Sequence, residues 1–304
     1  MTATAPHPDF RSEAHGQPPP ADPRPRHVSA LQPTLRMTGV LDRCVLLNFR
    51  TPAESVESLL PPGLELFRRG PYAFWNVVLC HVHKMRPLGV PEGLGMSYHH
   101  VAYRLRVQAM TDRADTRQGL YFVRSDADAA VLGAVGNRLS DFKFHRAQID
   151  WRADAEERRD GTSGATESLT VTAADGRADA RLTFRRQPPV VHPADSCFPT
   201  AADARAALKY EPLGLAINRR DRLKLAEVFR DETQWCEDAI DVAHAKLGFF
   251  DTLGQTEARL ELATWVAPLP YRWRLGRRES LMIRPRPAPT ATPGARPLPR
   301  PAVA

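Results

Sequence analysis

Lysine is scarce in this chain. Five residues (Lys84, Lys143, Lys209, Lys224, Lys246) stand against 42 − 5 = 37 arginines. A reaction that runs through an imine therefore has few amines to choose from. Cysteine is rarer still. Cys44, Cys80, Cys197 and Cys236 lie far apart with no Cys-x-x-Cys pair, which argues against a zinc ribbon or a disulfide-stapled scaffold. They read as buried or incidental thiols in a reducing compartment. No stretch reaches the roughly 18 uninterrupted apolar residues of a membrane span. The opening MTATAPHPDFRSEAHGQPPP has neither the basic region nor the apolar core of a signal peptide, so a cytoplasmic location is expected. Also absent are a Gly-x-Ser-x-Gly elbow, a phosphate-cradling glycine loop, a dinucleotide fingerprint and a Ser-His-Asp order. Hydrolase, kinase and dehydrogenase readings lack support.

The 304 residues are 42% apolar and 25% charged, values of a globular protein with a core that needs no staples. Net charge is +7, but Arg284, Arg286, Arg296 and Arg300 sit in an acid-free C-terminal stretch, so the rest carries 7 − 4 = +3. Without a basic face interleaved with aromatics, no nucleic-acid partner is expected, nor a membrane. Of 28 prolines, eight fall in residues 1–35 and seven in 285–301. Residues 1–36 and 279–304 read as disordered proline-rich tails around a body at 37–278.

Strand signals dominate that body. Residues 42–50 form a short apolar run, and 72–85 (YAFWNVVLCHVHKM) read as a long buried strand. Residues 98–110 alternate Val101, Tyr103, Leu105 and Val107 with more polar neighbours. Further strands are expected at 119–124, 142–151, 168–173, 181–186, 222–230, 239–247 and 258–266. Residues 160–166 read as a turn, and 188–203 as an irregular connection. Short helices are expected at 52–60, capped by Thr51, at 127–139, capped by Asp126 or Asp128, at 201–208 and near 248–253. The whole suggests one strongly curved or closed antiparallel sheet.

The stretch ESVESLLPPGLEL (54–66), the strand with AFWNVV, the loop RPLGVPEGLG, the strand YHHVAYRLRV and the run GLYFVRSDADAAVLGAVGNRLSDFKFHRAQI follow in fixed order. Together they resemble the YqjF-like proteins, a domain of unknown function in the acetoacetate decarboxylase-like superfamily, best over residues 38–152. The resemblance implies a mainly β fold with a few short helices, a curved antiparallel β-barrel around a deep small-molecule cavity. In the decarboxylases an adjacent lysine pair does the chemistry, one forming an imine and the other lowering its pKa by like-charge repulsion. Aligning Asp128 and Gly136 to that motif puts Lys143 at its proline. Phe144 and His145 then stand where the two lysines would be. The family's acidic position becomes His100.

Lys143 and His145, two apart on a strand, share a face. As catalytic candidates they would serve as imine former or anion anchor and as proton shuttle. Alternation offers the opposite reading, in which Phe142 and Phe144 turn inward and Lys143 and His145 face solvent. For substrate binding the candidates are Arg104, which recurs in the resembling group and suits bidentate contact with a carboxylate, together with His100, Trp75, Tyr121 and Phe144. Arg106 shares the Arg104 face. Arg124, Asp126 and Asp128 read as a rim or a cap. His81, His83 and His99 or His100 form a possible ligand set, but no carboxylate sits at metal spacing, so no metal and no cofactor are expected. The leading reading is a small-molecule-binding protein that accommodates an organic acid or carbonyl compound without the paired-lysine site. The alternatives are a lyase using Lys143, or a non-catalytic carrier or sensor. Assembly into a homo-oligomer is compatible with either.

Overall fold

The computed structural model describes residues 34–112, 114–157, 163–186, 192–217 and 222–281. The tail expectations lie, but for a few inner residues, outside the described residues, as do parts of the expected turn at 160–166 and of the connection at 188–203. Among the described residues fifteen strands appear: β1 (Leu35–Pro52), β2 (Glu65–Leu66), β3 (Arg68–Arg69), β4 (Tyr72–Pro87), β5 (Met96–Met110), β6 (Thr116–Ala127), β7 (Phe144–Glu157) and β8 (Ser163–Ala173). They continue as β9 (Ala180–Arg185), β10 (Leu213–Ile217), β11 (Arg222–Phe229), β12 (Glu237–Ala239), β13 (Asp241–Leu247), β14 (Arg259–Val266) and β15 (Leu269–Ser280). Helices are short: α1 (Glu54–Glu57), α2 (Asn137–Ser140), α3 (Ala201–Leu208) and α4 (Gly248–Thr252).

Seven strands close a ring in the order β1-β4-β5-β6-β10-β11-β15 and back to β1. The sheet is curved and mainly antiparallel, as expected. It falls short of a regular barrel, because β10 meets β6 in parallel through two residue pairs only, Gly214 with Leu120 and Leu215 with Tyr121. That seam requires glycine. A Cβ on Gly119 would stand 2.6 Å from the Leu213 carbonyl oxygen, closer than any real contact. From β6 a second arm runs off as β7-β8-β9-β13, beginning with a parallel β6–β7 pairing.

Strands β1, β4 and β5 are buried on both faces, which is why β4 reads as an almost unbroken apolar run. One face joins Val45, Leu47, Trp75, Val77, Tyr103 and Leu105 in a core shared with β8, β9 and the α4 residues Phe249 and Phe250. The other carries Cys44, Leu46, Val78, Cys80 and Ala102 into a second cluster with Phe122, Phe142, Tyr271 and Leu275. Phe74 and Leu262 pack with Ala204 and Leu208 of α3.

Three local expectations are corrected. Pairing of β1 with β4 continues through Pro52 opposite Tyr72, so α1 starts only after Ala53. Thr51 does not cap it, because its hydroxyl lies 3.0 Å from Gln255 Oε1. The helix expected from 127 begins later: β6 runs to Ala127, a π-helical turn spans Leu132–Gly136 and α2 follows. Asp128 receives the His99 backbone N–H at 2.9 Å instead of capping that helix. The single strand expected over 239–247 is broken at Ile240 into β12 and β13, which pair with different partners.

Candidate binding site in the central hollow

All seven ring strands contribute side chains or backbone to one hollow of about 30 Å³. This holds little more than two waters, at roughly 10–15 Å³ each. Its wall is apolar and aromatic, with Phe122, Phe142, Tyr210, Trp235, Tyr271 and Trp273 prominent. The half-buried Glu211, Val228, Trp235 and Trp273 mark its more open side. Gly214 lies at the wall because a Cβ there would press on Phe122, Phe142 and Ala226 at 3.1–3.3 Å.

Set into this wall is Arg104, only 3% exposed. Register places it beside Asn76, which lies beside Asn48, so three polar side chains form a row across β1, β4 and β5. Arg104 Nη2 donates to Asn76 Oδ1, and Asn76 Nδ2 donates to Asn48 Oδ1 at 2.8 Å. The guanidinium also lies over the rings of Phe122 and Tyr210, 5.5 and 5.3 Å from their centroids. Among the described residues no carboxylate comes within ion-pair distance of it. Arg106, its neighbour on the same face, goes elsewhere: it donates to the carbonyls of Ala207 and Lys209, tying down the end of α3.

His100 lines the same hollow, 4% exposed, and its Nε2 has no hydrogen-bond partner among the described residues. Burial, helped by the nearby Arg104 charge, pushes its pKa down to about 3, so the imidazole is neutral at pH 7. Trp273 Nε1 is a second buried polar atom at the wall with no partner. The hydroxyls of Tyr210 and Tyr271 meet at 3.4 Å.

The other residues singled out in the sequence are placed differently. Phe144 is buried behind His100, ring centroids 5.1 Å apart, and Phe142 stacks on Phe122 at 3.8 Å. Lys143 is exposed, and its Nζ donates to Tyr121 Oη at 2.7 Å. His145 is half-exposed near Asp175, 3.7 Å away. Trp75 and Tyr121 belong to the other core cluster. Among the residues lining the hollow there is no lysine. His81 and His99 stack across β4 and β5 with centroids 4.6 Å apart. Their Nδ1 atoms lie 3.0 and 2.8 Å from Asp42 and Asp128. Among the described residues no group of three or more His, Cys, Asp or Glu is arranged to hold a metal ion.

Sequence reasoning did not register Tyr210, Trp235, Tyr271 or Trp273 as wall residues. The last two stand on β15, whose alternation of Tyr271, Trp273 and Leu275 with arginines was a usable strand signal.

Residues 39–247 match the family profile described as DUF2071, an uncharacterized conserved protein. The chain belongs to this family. No curated protein matches this DUF2071 chain at a significant level. Among solved structures it is similar to an acetoacetate decarboxylase-like enzyme from Sphingomonas wittichii RW1, with 12% identity over 81% of this chain and 92% of that one and a TM-score of 0.52. It also matches the acetoacetate decarboxylase of Legionella pneumophila subsp. pneumophila str. Philadelphia 1, with 13% identity, coverage of 85% and 92% and a TM-score of 0.48. A third match is the enduracididine biosynthesis enzyme MppR complexed with pyruvate, with 13% identity, coverage of 88% and 97% and a TM-score of 0.47. At such identities the likeness to the Sphingomonas enzyme is one of fold. No helix of the described DUF2071 chain is long and apolar enough to cross a membrane.

Proposed function

We propose that the hollow binds a small organic acid, or a carbonyl compound bearing a carboxylate, without forming an imine. One observation carries this reading: Arg104 is a buried guanidinium with no carboxylate partner among the described residues, set among aromatic walls. A charge held out of water without an opposite charge is costly, and a ligand carboxylate would complement it bidentately. The partnerless Trp273 Nε1 is a donor only and suits the second oxygen, while neutral His100 offers Nε2 to a carbonyl or hydroxyl. The volume favours a ligand of a few heavy atoms, seated after side chains on the open side move. With no lysine at the wall, binding is supported over Schiff-base chemistry.

The test is thermal stabilisation and calorimetry with C2–C4 monocarboxylates and 2- and 3-keto acids. Saturable stabilisation is expected, about 2.7 kcal/mol at a hundredfold excess over Kd. Arg104→Gln should weaken binding at least tenfold, and Trp273→Phe, which keeps the packing, several-fold. Borohydride added to the mixture should leave the mass unchanged. If none of these acids stabilises the protein, if Arg104→Gln binds like the parent, or if a lysine adduct appears, the reading is overturned.

A further inference from the structure

Cys44 and Cys80 face each other across β1 and β4 as direct register partners, and both line the hollow. Both are buried and both are free thiols, whereas Cys197 is half-buried and Cys236 exposed. His100, whose Nε2 has no partner among the described residues, is the register partner of Cys80 on β5, so the three form a second row, separated from that of Asn48, Asn76 and Arg104 by Leu46, Val78 and Ala102.

We propose that Cys44 and Cys80 are a two-coordinate site for a soft monovalent metal cation, copper(I), in the wall of the hollow. Three physical arguments select that chemistry. Directly opposed residues on antiparallel strands have Cβ atoms about 4.5–5.5 Å apart. Two metal–thiolate bonds of about 2.3 Å in line span about 4.6 Å, a bridge the pair can hold without moving its strands. Thiolate pairs prefer soft ions. A zinc ion, by contrast, asks for four ligands, and no group of three or more candidate ligands is arranged for a metal among the described residues. Charge decides between monovalent and divalent. Two thiolates around copper(I) carry a net −1, which the positive field of Arg104 at both sulfurs favours; around a divalent ion the pair would be neutral and gain nothing from that field.

Binding exchanges two S–H bonds for two S–Cu bonds, releases two protons and transfers no electrons. Burial raises both thiols, Cys80 to about 12, with Arg104 pulling the other way. The free pair is therefore protonated and inert to ordinary electrophiles, and only a ligand that binds sulfur strongly displaces the protons. The site does not depend on acid binding, and it is read out with no acid present.

The experiment uses the full chain carrying Cys197→Ser and Cys236→Ser, titrated anaerobically with copper(I) against a chromophoric copper(I) chelator. The expected result is one ion per chain held against the chelator, a near-ultraviolet thiolate-to-metal band and release of two protons per ion. Cys44→Ala and Cys80→Ala should each weaken retention at least a hundredfold while melting cooperatively. Should either variant fail to fold, proton release and the absorption band in the parent decide the matter. No retained ion, no thiolate band, or folded alanine variants that hold copper(I) as the parent does would overturn the site.

Discussion

Two arginines on neighbouring strands are almost equally buried yet differently held. Arg124 on β6 is 4% exposed and forks to Asp126 at 2.7 and 2.8 Å and to Asp175 at 2.8 and 2.9 Å. Both pairs raise the Arg124 pKa against the opposing effect of burial. Arg104 on β5 is 3% exposed and has amides and aromatic rings for company. At Arg124 the fold supplies carboxylates beside the buried guanidinium. At Arg104 and Arg106 it supplies neutral acceptors instead, two backbone carbonyls for Arg106 and the Asn76 amide for Arg104.

The sharpest way to break this comparison is to unbalance the first charge and delete the second. Replacing Asp126 and Asp175 together by alanine strands the Arg124 charge and should cost about 3–5 kcal/mol in chemical denaturation. Arg104→Met removes a charge that had no ionic partner, and should cost less than half as much. Equal losses would erase the distinction between the two sites.

The next effect is pH-dependent. His100 is neutral in the folded protein down to about pH 3, but when unfolded it takes up its proton near its ordinary value of 6.5. Below about pH 6.5 the unfolded chain binds more protons than the folded one, so stability falls as pH drops toward 3. The slope is up to about 1.4 kcal/mol per pH unit. Stability curves of wild type and His100→Leu should converge on acidification, the variant having the shallower fall. Parallel curves would mean that the imidazole is solvated.

The smallest effect belongs to Lys143. Its side chain is exposed and its ammonium meets the hydroxyl and ring of Tyr121, so Lys143→Ala should shift stability by less than about 0.5 kcal/mol and leave acid affinity unchanged. A collapse of binding in this variant would move the site to the other side of the sheet.

Much of the ring was legible because its central strands announce themselves. β4 and β5 are long and rich in aromatic and β-branched residues, and their lengths differ from expectation by only a residue or two at each end. Arg104 and His100 were legible as candidates from their strand and the resemblance. Phe142 and Phe144 were legible as inward residues by alternation alone. The rest of the wall was not, because a hollow built by seven strands is assembled from residues up to about 230 positions apart, and no local window contains them. β10 is five residues long and carries no polar alternation. The late start of α1 was hidden because the β1–β4 ladder overrides the capping preference of Thr51.

The join between β6 and β10 rests on two rungs, whereas every other neighbouring pair in the ring shares at least five. A hoop fastened so lightly at one point has a clasp. Thermal unzipping starts there at the least expense, and amide exchange at Gly214 and Leu215 should outrun that along β4. Undone, the clasp turns the ring into an open trough whose gap lies between β6 and β10.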